Sequence, residues 1–252
     1  MTRDFGDVCA VDEVDLTVEA GTLYGFLGPN GAGKSTTIKM ITGLLQPTSG
    51  EIELLGRNPL DAKEAIEVKR RIGVVPEDLA LFDLLTAREY LSFVGRMFLM
   101  ERETVQRRID ELLGLLRLEA DEKKLAVEYS HGMKKKLALA AAILPDPDLL
   151  FLDEPFEGVD AVTSRVVRDL LASFVARGST IFITSHVLEI VERLCTHVGI
   201  ILEGRLVEQA SLDDLRQGSS LEARFLEKVG TTEGAHAQLS WLESTSAPSA
   251  EA

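Results

Sequence analysis

The stretch Gly28-Pro29-Asn30-Gly31-Ala32-Gly33-Lys34-Ser35-Thr36 decides the fold of this 252-residue chain. It matches the pattern G-x-x-x-x-G-K-[ST], in which small residues let successive backbone N–H groups curl around an anion. Lys34 is then positioned to reach the β- and γ-phosphates of a nucleotide, and the Ser35 hydroxyl is positioned to ligate Mg²⁺. The nonapeptide therefore predicts a phosphate-binding loop.

The residues on either side of the loop agree with this prediction. Thr22–Leu27 is a short apolar run that predicts a buried strand. After the loop, apolar residues recur at helical spacing from Ile38 to Leu45, and Pro47 ends the pattern. A strand, a glycine loop and a helix follow one another as a nucleotide site requires, and the helix N-terminus adds a positive end to the anion site.

The overall composition excludes several classes of function. The net charge of −14 argues against nonspecific binding to nucleic acid or anionic membranes, so no nucleic acid partner is expected. Cys9 and Cys195 lie far apart without metal-ligand spacing, which indicates a reduced, cytoplasmic setting. The sequence has no signal pattern and no apolar stretch near the roughly eighteen residues that span a bilayer. A membrane role therefore requires a partner.

Predicted strands and helices alternate along the chain. Apolar runs predict strands at 14–18, 52–54, 72–75, 149–152, 180–183 and 198–202. Periodic patterns predict helices at 86–98, 103–118, 130–144 and 161–176, the first opened by the capping box Thr86-x-x-Glu89. This order indicates an α/β fold, with a mainly parallel sheet between helices, a helical insertion and a small antiparallel part near the N-terminus. Beyond about residue 231 the composition predicts a disordered tail.

Two further candidate sites follow predicted strands. Four apolar residues lead into Asp153 and Glu154 at a strand's carboxyl end, where open α/β sheets bind ligands. Asp153 is expected to hold Mg²⁺ and Glu154 to polarise the attacking water as general base, although such a pair standing alone marks only a surface turn. His186 follows the next strand. It is either a capping histidine or a donor to the γ-phosphate that senses hydrolysis.

A third polar cluster opens the helix predicted at 130–144. In the simplest interpretation Ser130 caps that helix. Its hydroxyl, the backbone N–H of Gly132 and the helix N-terminus together also make an anion site. The run Lys134–Lys136 that follows is interpreted as a solvated face.

Together these motifs resemble the ATP-binding subunit of an ABC transporter, over about residues 3–230. Residues 28–36 are similar to the Walker A loop, 149–154 to the Walker B strand, 129–133 to the signature usually written LSGGQ, 158–160 to the D-loop and His186 to the switch histidine. Phe5 falls where an aromatic ring stacks on adenine, and residues 75–77 fall at the Q-loop. The ordered occurrence of seven motifs is more specific than any one of them.

The sequence departs from the family pattern in three places. The Q-loop position holds Glu77 instead of glutamine, and its added charge near the Walker B carboxylates predicts an altered Mg²⁺ dependence. The signature keeps Ser130 and Gly132, the groups that contact phosphate, but changes its other positions. Phe5 comes so early that either the true start lies upstream or an edge strand is missing. The tyrosine at 129 and Glu77 resemble the exporter-type branch.

The resemblance implies an enzyme that hydrolyses ATP with Mg²⁺. It implies a dimer with a second copy or a homologous ATPase subunit, held at the inner face of the membrane by an integral membrane permease. The implied catalytic residues are Glu154, His186 and Lys34, the metal ligands Ser35, Asp153 and Glu77, and the nucleotide-binding residues Phe5, Gly28, Pro29, Asn30, Gly31, Ala32, Gly33, Lys34, Ser35, Thr36, Glu77, Ser130, Gly132 and Asp160. One ATPase domain is implied at 1–230, with a core at 1–84 and 146–210, a helical subdomain at 85–145 and a C-terminal helix at 211–230, followed by the tail at 231–252.

Two other functions stay open. A non-transport ABC ATPase would act as a soluble regulatory or mechanical module, although such proteins often fuse two cassettes or carry long coiled coils. A GTPase or kinase could share the phosphate-binding loop, but the chain has no Asn-Lys-x-Asp sequence for guanine, and the signature segment would be unexplained. The transported substrate is not encoded in any motif of this chain.

Overall fold

The computed structural model describes residues 1–216 and 220–230. Its strands are β1 (Arg3–Phe5), β2 (Val8–Val11), β3 (Leu23–Leu27), β4 (Ile72–Val75), β5 (Leu149–Leu152), β6 (Thr180–Ser185), β7 (His197–Leu202) and β8 (Arg205–Ser211). Its α-helices are α1 (Lys34–Ile41), α2 (Ala65–Arg71), α3 (Ala87–Met97), α4 (Arg102–Leu115), α5 (His131–Ile143), α6 (Ala161–Ala176), α7 (Leu188–Leu194), α8 (Leu212–Arg216) and α9 (Leu221–Val229).

Six of these strands form one sheet in the order β4-β5-β6-β3-β7-β8. The four pairings from β4 to β7 are parallel, and β8 is added antiparallel at the edge. The strands β1 and β2 form a separate antiparallel hairpin. The predicted α/β fold, with a mainly parallel sheet and a small antiparallel part near the N-terminus, is confirmed.

Apolar packing on both faces of the sheet explains why its inner strands are continuous apolar runs. Every residue of β3 and β5 is buried, as expected for strands covered on both sides. On one face the Phe182 ring packs against Tyr24, Phe26 and Phe151, with centroids 5.4, 5.4 and 5.7 Å away. The other face belongs to a larger core that continues into α3, α4 and α5. The helical region at 85–145 therefore shares a core with the sheet.

Two predicted strands are wrong. Residues 14–18 and 52–54 form no ladder, and Leu54 makes only an isolated bridge to Arg57. The alternating pattern at 14–18 does predict burial, because Val14 is buried between exposed neighbours. Alternation reports which side chains face the core, but a strand also needs a neighbour that accepts its backbone hydrogen bonds.

The chain end differs from its prediction as well. The segment at 211–230 was expected to be one C-terminal helix, but Ser211 ends β8 and two short helices, α8 and α9, follow. Ser220 caps α9 by accepting a hydrogen bond from the Ala223 N–H at 3.1 Å. The predicted tail at 231–252 lies outside the described residues.

Candidate functional site

A cavity of about 360 Å³ lies beside the phosphate-binding loop. It is lined by Ala10, Asn30, Gly31, Gly33, Lys34, Ser35, Thr36, Glu77, Glu154, Glu157 and His186. The structure thus brings together residues from five separate parts of the chain, most of them predicted site residues. The predicted residues Phe5, Gly28, Pro29, Ala32, Ser130, Gly132, Asp153 and Asp160 do not line this cavity.

The loop reaches α1 through a backbone that only glycine can adopt without strain. Gly33 has φ +102°, and a Cβ there would lie 2.5 Å from the carbonyl oxygen of Ala10 on β2. Gly33 is the N-cap of α1 and offers no side chain to the first-turn N–H groups. Those N–H groups remain available for an anion, as the sequence predicts.

Lys34 is buried, and its ammonium lies over the loop. Its Nζ donates to the carbonyl oxygens of Gly28 at 2.8 Å and Pro29 at 3.1 Å. The same atom lies 3.9 Å from Oε1 of Glu154. A buried ammonium between these acceptors makes the cavity a site for a negatively charged group such as phosphate.

Ser35 and Glu77 meet at the cavity although 42 positions separate them in sequence. The Ser35 hydroxyl donates to Glu77 Oε2 at 2.9 Å. A hydroxyl and a carboxylate offer only oxygen ligands, which is the donor set that Mg²⁺ prefers. The two residues therefore fit a magnesium ion, although the described residues hold no group of three His, Cys, Asp or Glu side chains arranged for a metal.

Thr184 organises the two acidic residues that follow β5. Its hydroxyl donates to Oδ1 of Asp153 at 2.5 Å and accepts a hydrogen bond from the backbone N–H of Glu154 at 3.0 Å. Thr184 and Asp153 are both buried. Sequence reasoning missed this threonine. The parallel pairing of β5 with β6 is the signal that identifies it. Leu152 pairs with Ile183, so Asp153, which follows Leu152, is a neighbour of Thr184, which follows Ile183.

The backbone of Glu154 has an uncommon conformation, and its carboxylate lies near the side chains of Lys34 and His186. Its φ is +47°, in the left-handed region that residues other than glycine seldom adopt. His186 Nδ1 lies 3.0 Å from Glu154 Oε1. These two atoms are close but not aligned for a hydrogen bond. Glu154 Oε1 is therefore a buried atom without a hydrogen-bond partner in the described part of the chain. A water or phosphate group that supplies the missing bond would sit beside His186 and Lys34.

Ser130 and Gly132 lie at the start of α5, away from the cavity. Ser130 is exposed and caps α5 by accepting a hydrogen bond from the Met133 N–H at 3.3 Å. A Cβ on Gly132 would approach the carbonyl oxygen of Gly158 to 2.8 Å, so glycine is needed there for packing within the chain. The cap and the close contact are both local reasons for these residue types.

Asp160 and Phe5 are placed differently from the loop residues. Asp160 caps α6, and hydrogen bonds from the Thr163 hydroxyl and N–H, with the charge of Lys136, lower its pKa to about 2. Phe5 ends β1, about half exposed, with the Arg3 guanidinium 4.5 Å above its ring. The hairpin that carries Phe5 contacts the loop through Ala10 and Gly33.

The prediction that residues 134–136 form a solvated face is wrong for Lys135. Only 3% of its side chain is exposed. Its Nζ donates to the carbonyl oxygen of Glu154 at 2.8 Å and to Glu157 Oε2 at 3.2 Å. The hydrogen bond and the charge of Lys135 lower the pKa of Glu157 below its ordinary value, so the Glu157 carboxylate stays ionised at neutral pH and its interaction with Lys135 weakens only as pH falls through that lowered pKa.

The loop, the acidic strand end and the parallel sheet define a nucleotide-binding α/β domain, and comparison with known proteins gives its family. The family model described as ABC transporter matches residues 11–157. The bacitracin transport ATP-binding protein BcrA of Bacillus licheniformis is 42% identical over 218 residues, which cover 86% of this chain and 70% of that protein. The chain belongs to the ABC transporter family and is an ATP-binding subunit with ATPase activity.

Two solved structures and a further relative agree with this assignment. The structure of an ATP-binding subunit of an ABC transporter aligns with TM-score 0.84 and 31% identity, over 91% of this chain and 97% of that chain. A dimeric ATP-binding cassette in a post-hydrolysis state, bound to ADP and phosphate, aligns with TM-score 0.77 and 25% identity, over 84% and 95%. The daunorubicin resistance protein DrrA3 of Streptomyces coeruleorubidus is 36% identical, over 85% of this chain and 67% of its own length.

Replacing Thr184 tests the arrangement after β5. Thr184→Val keeps the shape but leaves Asp153 Oδ1 and the Glu154 N–H without the bonds they make here. We expect the free energy of unfolding to fall by about 1–3 kcal/mol, and kcat for ATP hydrolysis to fall about tenfold or more because the Glu154 backbone shifts. Urea unfolding and steady-state ATPase assays measure both.

Thr37→Val is the matched control, because Thr37 is equally buried and its hydroxyl has no hydrogen-bond partner in the described structure. Thr184→Ser should retain most of the activity. Equal kcat in Thr184→Val and Thr37→Val would contradict the role of the Thr184 hydroxyl.

Proposed function

We propose that this chain powers transport, with export favoured, through a separate membrane permease. Two copies bind ATP between them head to tail, and hydrolysis opens the dimer. The observation that carries this proposal is the division of the predicted site. Lys34, Ser35, Glu77, Glu154 and His186 meet at one cavity, whereas Ser130 and Gly132 lie outside it.

The residues at the cavity suit the steps of ATP hydrolysis. The loop N–H groups and Lys34 bind the phosphates, and Ser35 and Glu77 at the cavity, together with Asp153 directly before the lining residue Glu154, would hold Mg²⁺ that neutralises phosphate charge. Glu154 accepts a proton from the attacking water, and the buried setting of its carboxylate favours this role. His186, 3.0 Å from that carboxylate, is placed to contact the γ-phosphate beside it.

A second copy supplies the missing half of the site in this proposal. Ser130 is exposed at the N-terminus of the thirteen-residue helix α5, where its hydroxyl and the helix end suit a phosphate. ATP held by the loop of one chain and by Ser130 of the other favours the closed dimer. Loss of the γ-phosphate removes that bridge, so the affinity difference between the two states drives opening.

A surface next to Glu77 suits a permease. An apolar groove of about 390 Å³ lies between the sheet edge at β4 and helices α3 and α5, and Pro76 lines it directly before Glu77. Leu44, which lines this groove, is 64% exposed, and Phe82, whose ring packs against the lining residue Tyr90, is 53% exposed. No helix among residues 1–216 and 220–230 is long and apolar enough to cross a bilayer. The apolar lining and the exposed side chains beside Glu77 support our assignment of the groove to a segment of the permease that holds this chain at the inner face of the membrane.

The proposal of export draws on the relatives. BcrA is named for bacitracin transport, DrrA3 for daunorubicin resistance, and a relative from Burkholderia lata that is 42% identical over 83% of this chain is named for Nod factor export. These substrates belong to those proteins. The non-transport ABC ATPase remains the second candidate, and a membrane partner separates the two.

Glu154→Gln tests the role of the carboxylate. The amide keeps the shape but cannot accept the proton, so we expect kcat to fall by at least a hundredfold while ATP affinity stays within about threefold. ATP should then hold the variant as a stable dimer, measured by size-exclusion chromatography with light scattering.

Glu203→Gln is the matched control, because Glu203 is exposed, shares the φ of +47° and does not line the cavity. It should behave as wild type. Normal turnover by Glu154→Gln would refute the general-base assignment, and a monomer with ATP would refute the dimer.

The permease proposal predicts copurification from membranes. Wild type expressed in its own cell should copurify with an integral membrane protein of several apolar spans, and Leu44→Glu should lose it because Leu44 lines the groove and a charge then faces it. Val207→Glu, on β8 at the opposite edge of the sheet from β4, should retain it. Wild type that brings down no membrane protein would favour the non-transport alternative.

A further inference from the structure

Lys135 is a buried cation that the proposed reaction does not yet use. It lies on α5, a little over one turn after Ser130, and 3% of its side chain is exposed. Its ammonium makes two contacts, with the Glu154 carbonyl oxygen at 2.8 Å and with Glu157 Oε2 at 3.2 Å. Burying a charge is unfavourable unless it is paired and hydrogen-bonded. Those two contacts therefore compensate for the unfavourable burial of the Lys135 charge.

The contact with Glu154 restrains a strained residue. Glu154 has φ +47°, and such a conformation persists only where its surroundings hold it. The Thr184 hydroxyl fixes the N–H of Glu154, and its carbonyl oxygen is held by the Lys135 ammonium at 2.8 Å and by the longer bond from the Glu157 N–H at 3.3 Å. Both peptide groups that flank its Cα are thus held. The direction of the carboxylate toward the cavity follows from this pair of restraints.

The same helix contacts the loop after Glu154 at two further points. Gly132 packs so closely on Gly158 that a Cβ would approach its carbonyl oxygen to 2.8 Å. Lys136 Nζ lies 3.5 Å from Asp160 Oδ2. We name this contact surface between the start of α5 and residues 154–160 the helix–loop junction. Ser130 and Glu154 lie at its two ends.

We propose that Lys135 is a positioning residue for Glu154 and that, through the helix–loop junction, it couples the two ATP sites of the dimer. The coupling rests on the proposed function, in which Glu154 acts at its own chain's ATP and Ser130 completes the partner's site. A change in the Glu154 backbone at one site is transmitted by the Lys135 bond to the start of α5. It therefore reaches the phosphate held by Ser130 at the other site.

Lys135→Met tests the positioning, because it keeps an unbranched apolar side chain and removes the ammonium. We expect kcat per ATP-binding site to fall ten- to a hundredfold, as a small misplacement of a catalytic group produces. The ATP dissociation constant should stay within about threefold, because Lys34 and the loop are unchanged. Lys135→Gln, which retains an N–H donor on a shorter chain, should lie between Met and wild type.

Lys134→Met is the matched control on the same helix. Its side chain is 28% exposed, and its Nζ lies 3.6 Å from Asp83. Its kcat should stay within about twofold of wild type. A purely structural role of Lys135 predicts a lower melting temperature, an unchanged kcat per binding site and no difference between Met and Gln. That result would overturn the proposal. If Lys135→Met does not fold, a wild-type kcat in Lys135→Gln overturns it equally.

Mixed dimers test the coupling. One chain carries Glu154→Gln, alone or with Lys135→Met, and its partner is wild type, so only the wild-type chain's Glu154 is active. That site is completed by the variant chain's Ser130, and coupling predicts slower hydrolysis when Lys135→Met is added. Equal rates would overturn the coupling. Failure of Glu154→Gln to dimerise with ATP would instead refute the proposed function, while the kcat of Lys135→Met still tests the positioning.

Discussion

The parallel register of β3, β5 and β6 is the constraint on which the rest of the site depends. Leu27 pairs with Ser185, so the phosphate-binding loop and His186 leave the sheet side by side. Leu152 pairs with Ile183, so Asp153 and Glu154 leave it next to Thr184. Because parallel strands end at one edge, three segments far apart in sequence converge without a dedicated binding loop. The buried phenylalanine contacts around Phe182 stabilise this alignment.

The second constraint is the placement of charges in the interior. Lys34, Lys135, Asp153 and Glu154 are all buried, and each contacts a polar or charged partner within the chain. One oxygen of Glu154 lacks a hydrogen bond in the described structure, and it faces His186 and Lys34. An unsatisfied buried carboxylate oxygen is unfavourable for folding but useful for a proton acceptor. The missing hydrogen bond therefore lowers the local stability of the site and leaves the carboxylate oxygen free to accept a proton.

Local sequence signals predicted the parts of the site that short motifs encode. The loop at 28–36, the pair Asp153 and Glu154, and the capping box at Thr86 depend on spacing within a few residues. Thr184 and Lys135 were missed because their roles arise from register and tertiary packing. Three consecutive lysines resemble a solvated face, and the sequence does not reveal that one of them points into the core.

The same limit explains the errors in the fold. Burial is predicted correctly in part by the alternation at 14–18 and by the apolar residues at 52 and 54. These patterns do not specify a neighbouring strand with which the backbone would pair. The inner strands were predictable because a continuous apolar run needs cover on both faces, which a parallel sheet between helices supplies. The role of each site residue remains a proposal that rests on this geometry.

Complementation between two inactive variants tests the shared ATP site most directly. Lys34→Ala removes the ammonium of the phosphate-binding loop, and Ser130→Ala removes the hydroxyl that completes the ATP site of the partner chain. Each variant alone should therefore hydrolyse ATP poorly. In a mixed dimer the intact loop of one chain meets the intact Ser130 of the other, and one complete site re-forms. Mixing the two variants is therefore expected to restore a substantial part of wild-type ATPase activity. Activity that stays at the level of the separate variants, although mixed dimers form, would contradict it.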